Sequence, residues 1–158
     1  MRRPTALTVA VAVLGVVPGT PTIASFPSQG TIDRGVIDRL VFQTPLAQFR
    51  SERTRLKRTN PWLITTTDGC SAPVVGSTGA SFNFRLACER HDLAYVNYST
   101  LARISMGVDW NSALRAKVDD QFQRDLQDSC TSRRNSARLR CDSWAVVFFH
   151  AVRLAAGP

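Results

Sequence analysis

Ala87-Cys88-Glu89-Arg90-His91-Asp92-Leu93-Ala94-Tyr95-Val96-Asn97-Tyr98 is the stretch from which the rest of the chain can be read. Cys88, His91, Tyr95 and Tyr98 recur at i, i+3, i+7 and i+10, so on an α-helix they share one face. Asp92 follows His91 by about 100° round that helix, placing a carboxylate beside the imidazole. The helix is expected to start near Phe84. Before it, residues 65–81 hold Asp68-Gly69, Pro73, Gly76 and Gly79 among Ser and Thr, the composition of an irregular loop.

After it, a second long helix is expected over about 111–129, with Leu114, Val118, Phe122 and Leu126 at i+4 spacing. Asp119 stands one position after Val118, at the border of the buried stripe, where its carboxylate can reach a neighbouring helix. Asp120, about 200° from Val118, faces solvent. Asp142 is expected to cap a last helix through Trp144, Val147, Phe148, Ala151 and Leu154, apolar on more than one side and therefore central to packing. Towards the N-terminus, Val36, Ile37, Leu40 and Val41 make an amphipathic helix of residues 33–42. Thr44-Pro45 reads as an N-cap with proline at the first helical position. It opens a helix that buries Leu46 and Phe49 and stops by Asn60-Pro61. The pattern is helical almost throughout, an all-α domain.

The remaining features bound the class. Arg2 and Arg3 followed by the apolar run Ala6 to Val17 read as a secretory signal ending near Ala24, so residues 1–24 are a removed signal and 25–158 a single domain. Cleavage lowers the net charge from +8 to +6. With 44% hydrophobic and 20% charged residues over 158, the chain has the composition of one folded domain and not of a disordered tail. Cys70, Cys88, Cys130 and Cys141 are spaced by 18, 42 and 11 residues, which matches no zinc or redox motif. In an exported protein two disulfides are expected, in any of three pairings.

Cys88, Arg90, His91, Asp92 and Tyr95 form a C-x-R-H-D-x-x-Y pattern, joined by D-x-C at Asp68 to Cys70 and D-x-x-F-x-x-D at Asp119, Phe122 and Asp125. In this combination the chain resembles secreted phospholipase A2, and within it the prokaryotic and fungal family, over most of residues 60–145. The resemblance implies two antiparallel, disulfide-braced core helices carrying His91 and Asp119, flanked by N- and C-terminal helices. It implies Ca2+ bound by Asp68, the Gly69 carbonyl and Asp92, with Tyr95 supporting an aspartate, and disulfides Cys70–Cys88 and Cys130–Cys141. Two positions depart from the family's usual pattern: Gly69 stands where a bulkier apolar residue is common, and Leu93-Ala94 replace Phe-Gly.

The residue types suit the chemistry. Ester hydrolysis by activated water needs a base near neutral pH, and histidine, with an unperturbed pKa of about 6.5, supplies one. A carboxylate on the other ring nitrogen fixes the tautomer. No G-x-S-x-G elbow is present, and none is needed when water is the nucleophile. Calcium prefers oxygen ligands, which Asp68 and Asp92 offer.

Plainer readings stand beside these. Asp68-Gly69 alone is a common turn, His150 has no catalytic neighbours in sequence, and the sequon Asn97-Tyr98-Ser99 sits on a helix that argues against its glycosylation. The runs Arg50–Arg58 and Arg133–Arg140 are solvated faces, or a surface for anionic lipid with Trp62, Leu63 and Ile64 as apolar contacts. The expected partner is a phospholipid membrane or micelle met by a secreted, extracellular monomer. No nucleic-acid motif occurs. The competing class is a catalytically silent, basic secreted module that binds membranes or another partner.

Overall fold

Five α-helices carry the chain in the computed structural model, which describes residues 29–69, 82–104 and 106–155. The signal read at residues 1–24, together with Cys70, Pro73, Gly76 and Gly79, lies outside the described residues. Helix α1 (Gln29–Asp38) runs into a π-helical turn, Arg39–Gln43. A 3₁₀ turn, Leu46–Gln48, leads into α2 (Phe49–Thr59); after it come α3 (Arg85–Arg103), α4 (Ser112–Asp128) and α5 (Asn135–Ala155). No strand occurs among the described residues, so the fold is all-α as expected.

Local signals explain several boundaries. Helix α4 opens at Asn111, whose backbone is extended and whose side-chain oxygen accepts the Leu114 N–H at 3.0 Å. Helix α2 ends where Asn60-Pro61 stops it, the Asn60 N–H donating to the Leu56 carbonyl at 2.8 Å. Two expected caps are corrected. Thr44 does not cap forward: its hydroxyl donates back to the Arg39 carbonyl at 2.8 Å, closing the π turn, and Leu46 is only half-buried whereas Phe49 is fully buried. Asp142 lies inside α5, which begins at Asn135, and pairs with Arg138 one turn earlier at 2.8 Å.

Helix α5 also differs from expectation in where it sits. Cys141, Ala145, Phe148 and Phe149 are buried, but Leu139, Val146, Val147 and Leu154 are exposed, so the helix is peripheral and packs by one face.

Helices α3 and α4 share the most extensive contact. Their partners reverse in order: Arg90 meets Asp125, His91 and Tyr95 meet Asp119, and Tyr98 stacks on Trp110 before α4 begins. The helices are therefore antiparallel. Two apolar clusters flank this hairpin. One joins Ile37, Leu40, Phe49, Leu56, Leu93, Tyr98 and Val118. The other joins Phe84, Cys88, Phe122, Leu126, Cys141 and Phe148. Each fully buried large side chain contributes about 1.5–3 kcal/mol, so the pairing of α3 with α4 is held from both sides. Gly30 lets α1 approach the α3–α4 connection, since a β-carbon there would collide with the Met106 carbonyl.

Cys130 and Cys141 form a disulfide joining the end of α4 to α5, as the resemblance implied. Cys88 is also disulfide-bonded; its expected partner, Cys70, lies outside the described residues. No helix among the described residues is long and apolar enough to cross a membrane.

Candidate active site

His91 lies at the seam between the two apolar clusters, its ring against Tyr95 at 4.4 Å and Phe122 at 4.8 Å between centroids. It is 7% exposed. Across the helix pair, Asp119 Oδ1 stands 2.9 Å from His91 Nε2 and accepts the Tyr95 hydroxyl at 2.8 Å. Burial pushes the Asp119 carboxyl up, but the hydrogen bonds from His91 and Tyr95 outweigh it and hold the group below the usual carboxylate range. An ionised Asp119 can only accept, so His91 Nε2 carries the proton and donates it to Asp119. Nδ1 is then the basic nitrogen of the neutral ring. Asp120 is exposed, in agreement with the stripe geometry. The Tyr95 hydroxyl is pushed up by burial and by its bond to Asp119, so it stays a donor.

One residue further along α3, Asp92 is half-buried and accepts the Gly69 N–H on Oδ2 at 3.0 Å. Burial, reinforced by the nearby Asp68 carboxyl, pushes Asp92 up to about 6 against the opposing pull of the Gly69 N–H. Thr66, Thr67, Asp68, Asp92, Tyr95 and Val96 line an open depression of about 510 Å³ here. Two neighbouring carboxylates lining a solvent-open hollow fit a hard divalent cation, because such an ion offsets their repulsion and accepts oxygen donors. Among the described residues no third His, Cys, Asp or Glu completes a side-chain cluster, so backbone carbonyls and water must supply the other positions. Gly69 has φ of +63°, a conformation natural to glycine, which accounts for the residue type at this departure from the family pattern. Ala94 at the other departure is fully buried in the core.

Several residues to which sequence reasoning gave no role turn out to brace the site. Arg90, 2% exposed, sends Nη1 to the carbonyls of Val41 (3.1 Å) and Thr44 (2.6 Å), satisfying the end of the π turn. Its Nε lies 3.0 Å from Asp125 Oδ2, a charge contact not aligned as a hydrogen bond. Glu89, also buried, takes hydrogen bonds from Arg50 (2.8 and 3.1 Å), Arg53 (3.3 Å) and Arg85 (3.1 Å), tying α2 to α3. Asn97 bonds Ile64 through both its amide groups. The motif marked Arg90 and Asp125, but no spacing in the sequence announces partners that lie on the backbone of distant segments. His150 is exposed and outside the site.

Of the suggested lipid contacts, Leu63 is corrected, being fully buried; Trp62 and Ile64 are half-buried, Trp62 packing partly against the core. Leu63 is turned inward where its N–H bonds the Asn60 carbonyl at 3.0 Å and the next residue, Ile64, is held by Asn97 on α3.

Comparison with known proteins bears on what this arrangement does. The model of the prokaryotic phospholipase A2 family matches residues 37–156. A secretory phospholipase A2 of Beauveria bassiana is 34% identical over 123 residues, covering 77% of this chain and 58% of that protein. A secretory phospholipase A2 of Arthroderma benhamiae is 29% identical over 135 residues, covering 82% of this chain and 84% of that protein. The match thus spans little more than half the length of the first relative.

Proposed function

The chain belongs to the prokaryotic phospholipase A2 family, and from that premise we propose that it is a secreted, calcium-dependent phospholipase A2. It hydrolyses the sn-2 acyl ester of glycerophospholipids to a lysophospholipid and a free fatty acid. The observation that carries this reading is the buried His91–Asp119 contact of 2.9 Å, which leaves the opposite ring nitrogen as a base. In the proposed mechanism His91 Nδ1 takes a proton from the water that adds to the ester carbonyl. Asp119 holds the ring in that tautomer and stabilises the imidazolium. The imidazolium then returns the proton to the departing lysolipid oxygen, so acid and base roles alternate on one residue. Tyr95 keeps Asp119 oriented.

Asp68, Asp92 and the Gly69 carbonyl are the proposed calcium ligands. Bound there, calcium would polarise the ester carbonyl and offset the charge developing on its oxygen. We further read the protein as a monomer that prefers anionic lipid. Supporting that preference, the Arg50 and Arg85 side chains remain 54% and 65% exposed while bonded to Glu89. Such a preference weakens as salt rises.

The test is fatty-acid release from phospholipid vesicles by mature, oxidised protein, with calcium and with EGTA, alongside His91→Ala. Calcium-dependent release that falls by roughly 10²–10⁴-fold in His91→Ala is expected. No release under either condition would replace the enzyme reading with that of a silent membrane-binding module. A calcium-binding isotherm unchanged in Asp92→Asn would remove Asp92 from the ligand set.

A further inference from the structure

Asn97 is 1% exposed and uses its whole amide. Its Oδ1 accepts the Ile64 N–H at 2.9 Å, while Nδ2 donates to the Ile64 carbonyl and to the Leu93 carbonyl, each at 2.8 Å. A side chain that answers both the N–H and the C=O of one residue does what a neighbouring strand does for an extended segment. It also makes the sequon Asn97-Tyr98-Ser99 unusable, since the nitrogen that would carry a glycan is buried and both its hydrogens are engaged.

The clamp matters because the chain just beyond Ile64 carries Asp68. Residues 65–68 have irregular backbone and end at Gly69, whose N–H is held by Asp92. The segment bearing Asp68 is therefore fastened to α3 at two points, by Asn97 at its start and Asp92 at its end. Along α3 these two residues are separated by about 7.5 Å of helical rise, while residues 64–69 could extend to about 17 Å. The slack is taken up by a loop whose path depends on where Ile64 is pinned. Loosening the first point frees the path of the chain leading into Asp68, and more of the entropy of ordering residues 64–68 then falls on cation binding.

We propose that Asn97 is a positioning residue for the cation site: by fixing the backbone of Ile64 it presets Asp68 against Asp92 and so sets calcium affinity. This rests on the calcium reading above and adds to it a determinant that touches neither metal nor substrate.

The experiment uses full-length mature, oxidised protein and its Asn97→Leu and Asn97→Asp variants, with Leu126→Ala in the other apolar cluster as a control for general destabilisation. Calcium affinity is measured by titration calorimetry, kcat at saturating calcium, and hydrogen exchange of the 64–69 amides without calcium. Asn97→Leu is expected to weaken calcium binding by about tenfold, as loss of outer-sphere support typically does, with kcat at saturating calcium little changed and the 64–69 amides exchanging faster. Should Asn97→Leu fail to fold, Asn97→Asp, which retains the acceptor but loses both donors, is read in the same way. Unchanged calcium affinity, or an equal loss in Leu126→Ala, overturns the proposal. If the parent protein binds no calcium, the calcium reading falls; unchanged exchange at 64–69 overturns the clamp whether calcium binds or not.

Discussion

Asp119 receives two hydrogen bonds on one oxygen, and they are not equivalent. The bond from His91 selects a tautomer, whereas the bond from Tyr95 only orients the acceptor. Asp119→Asn removes the charge that requires Nε2 to hold the proton. It is expected to lower kcat by roughly 10²–10⁴-fold, with KM little changed. Tyr95→Phe keeps the ring contact with His91 and loses a single bond. It should lower stability by about 1 kcal/mol and kcat far less than Asp119→Asn does. Steady-state kinetics on vesicles and thermal melts check both. Equal losses in the two variants would mean that orientation, not tautomer selection, is what Asp119 provides. At Gly69 the positive φ makes Gly69→Ala cost about 1–2 kcal/mol through backbone strain.

Helix α5 shows what apolar periodicity can and cannot decide. Its apolar residues identify a helix, but because they fall on more than one side they do not say which side is covered. Packing chose Cys141, Ala145, Phe148 and Phe149, and left Leu139, Val146, Val147 and Leu154 to solvent. Phe148→Ala is therefore expected to destabilise by about 3–5 kcal/mol, whereas Leu139→Ser and Leu154→Ser stay within about 0.5 kcal/mol of the parent. Urea unfolding at constant m-value tests the contrast. A large loss from either serine variant would show that the outer face is covered in solution. On α4 the stripe was one-sided, Leu114, Val118, Phe122 and Leu126 are all buried, and the position of Asp119 followed directly.

The Arg90–Asp125 pair links the N-terminal π turn, α3 and α4, with both side chains 2% exposed. Burial pushes the Asp125 carboxyl up to about 6, against the attraction of Arg90. In the unfolded chain the group returns to the ordinary aspartate value, so between about pH 4 and 6 the folded protein takes up a proton that the unfolded chain does not. This contribution to stability is complete below about pH 4 and is lost as pH rises through about 6; its full size is up to about 3 kcal/mol. Asp125→Asn cannot titrate. The stability gap between parent and variant should therefore widen in the parent's favour as pH falls from 6 to 4, measured by melts across that range. A constant gap would mean that Arg90 keeps Asp125 ionised throughout.

The helices, the pairing of His91 with Asp119 and the Asp68–Asp92 neighbourhood were legible in the sequence alone because each depends on spacing within a single helix or on a recurrent motif. Helical geometry converts residue number into direction, so Asp119 could be told from Asp120 without knowing what lay opposite. Arg90, Glu89 and Asn97 could not be read in this way. Apart from Arg85, Leu93 and Asp125, their partners are backbone carbonyls and amides of the π turn and of Ile64, or arginines on α2, and a backbone group leaves no mark in the residue types of the segment that carries it. The same limit explains the misplaced caps: Thr44 and Asp142 are sound capping residues, but Thr44 bonds the Arg39 carbonyl and Asp142 pairs with Arg138, partners that the π turn and the longer α5 bring within reach. Direction along a helix is local, while satisfaction of buried polar groups is decided by whatever the folded chain brings within about 3 Å.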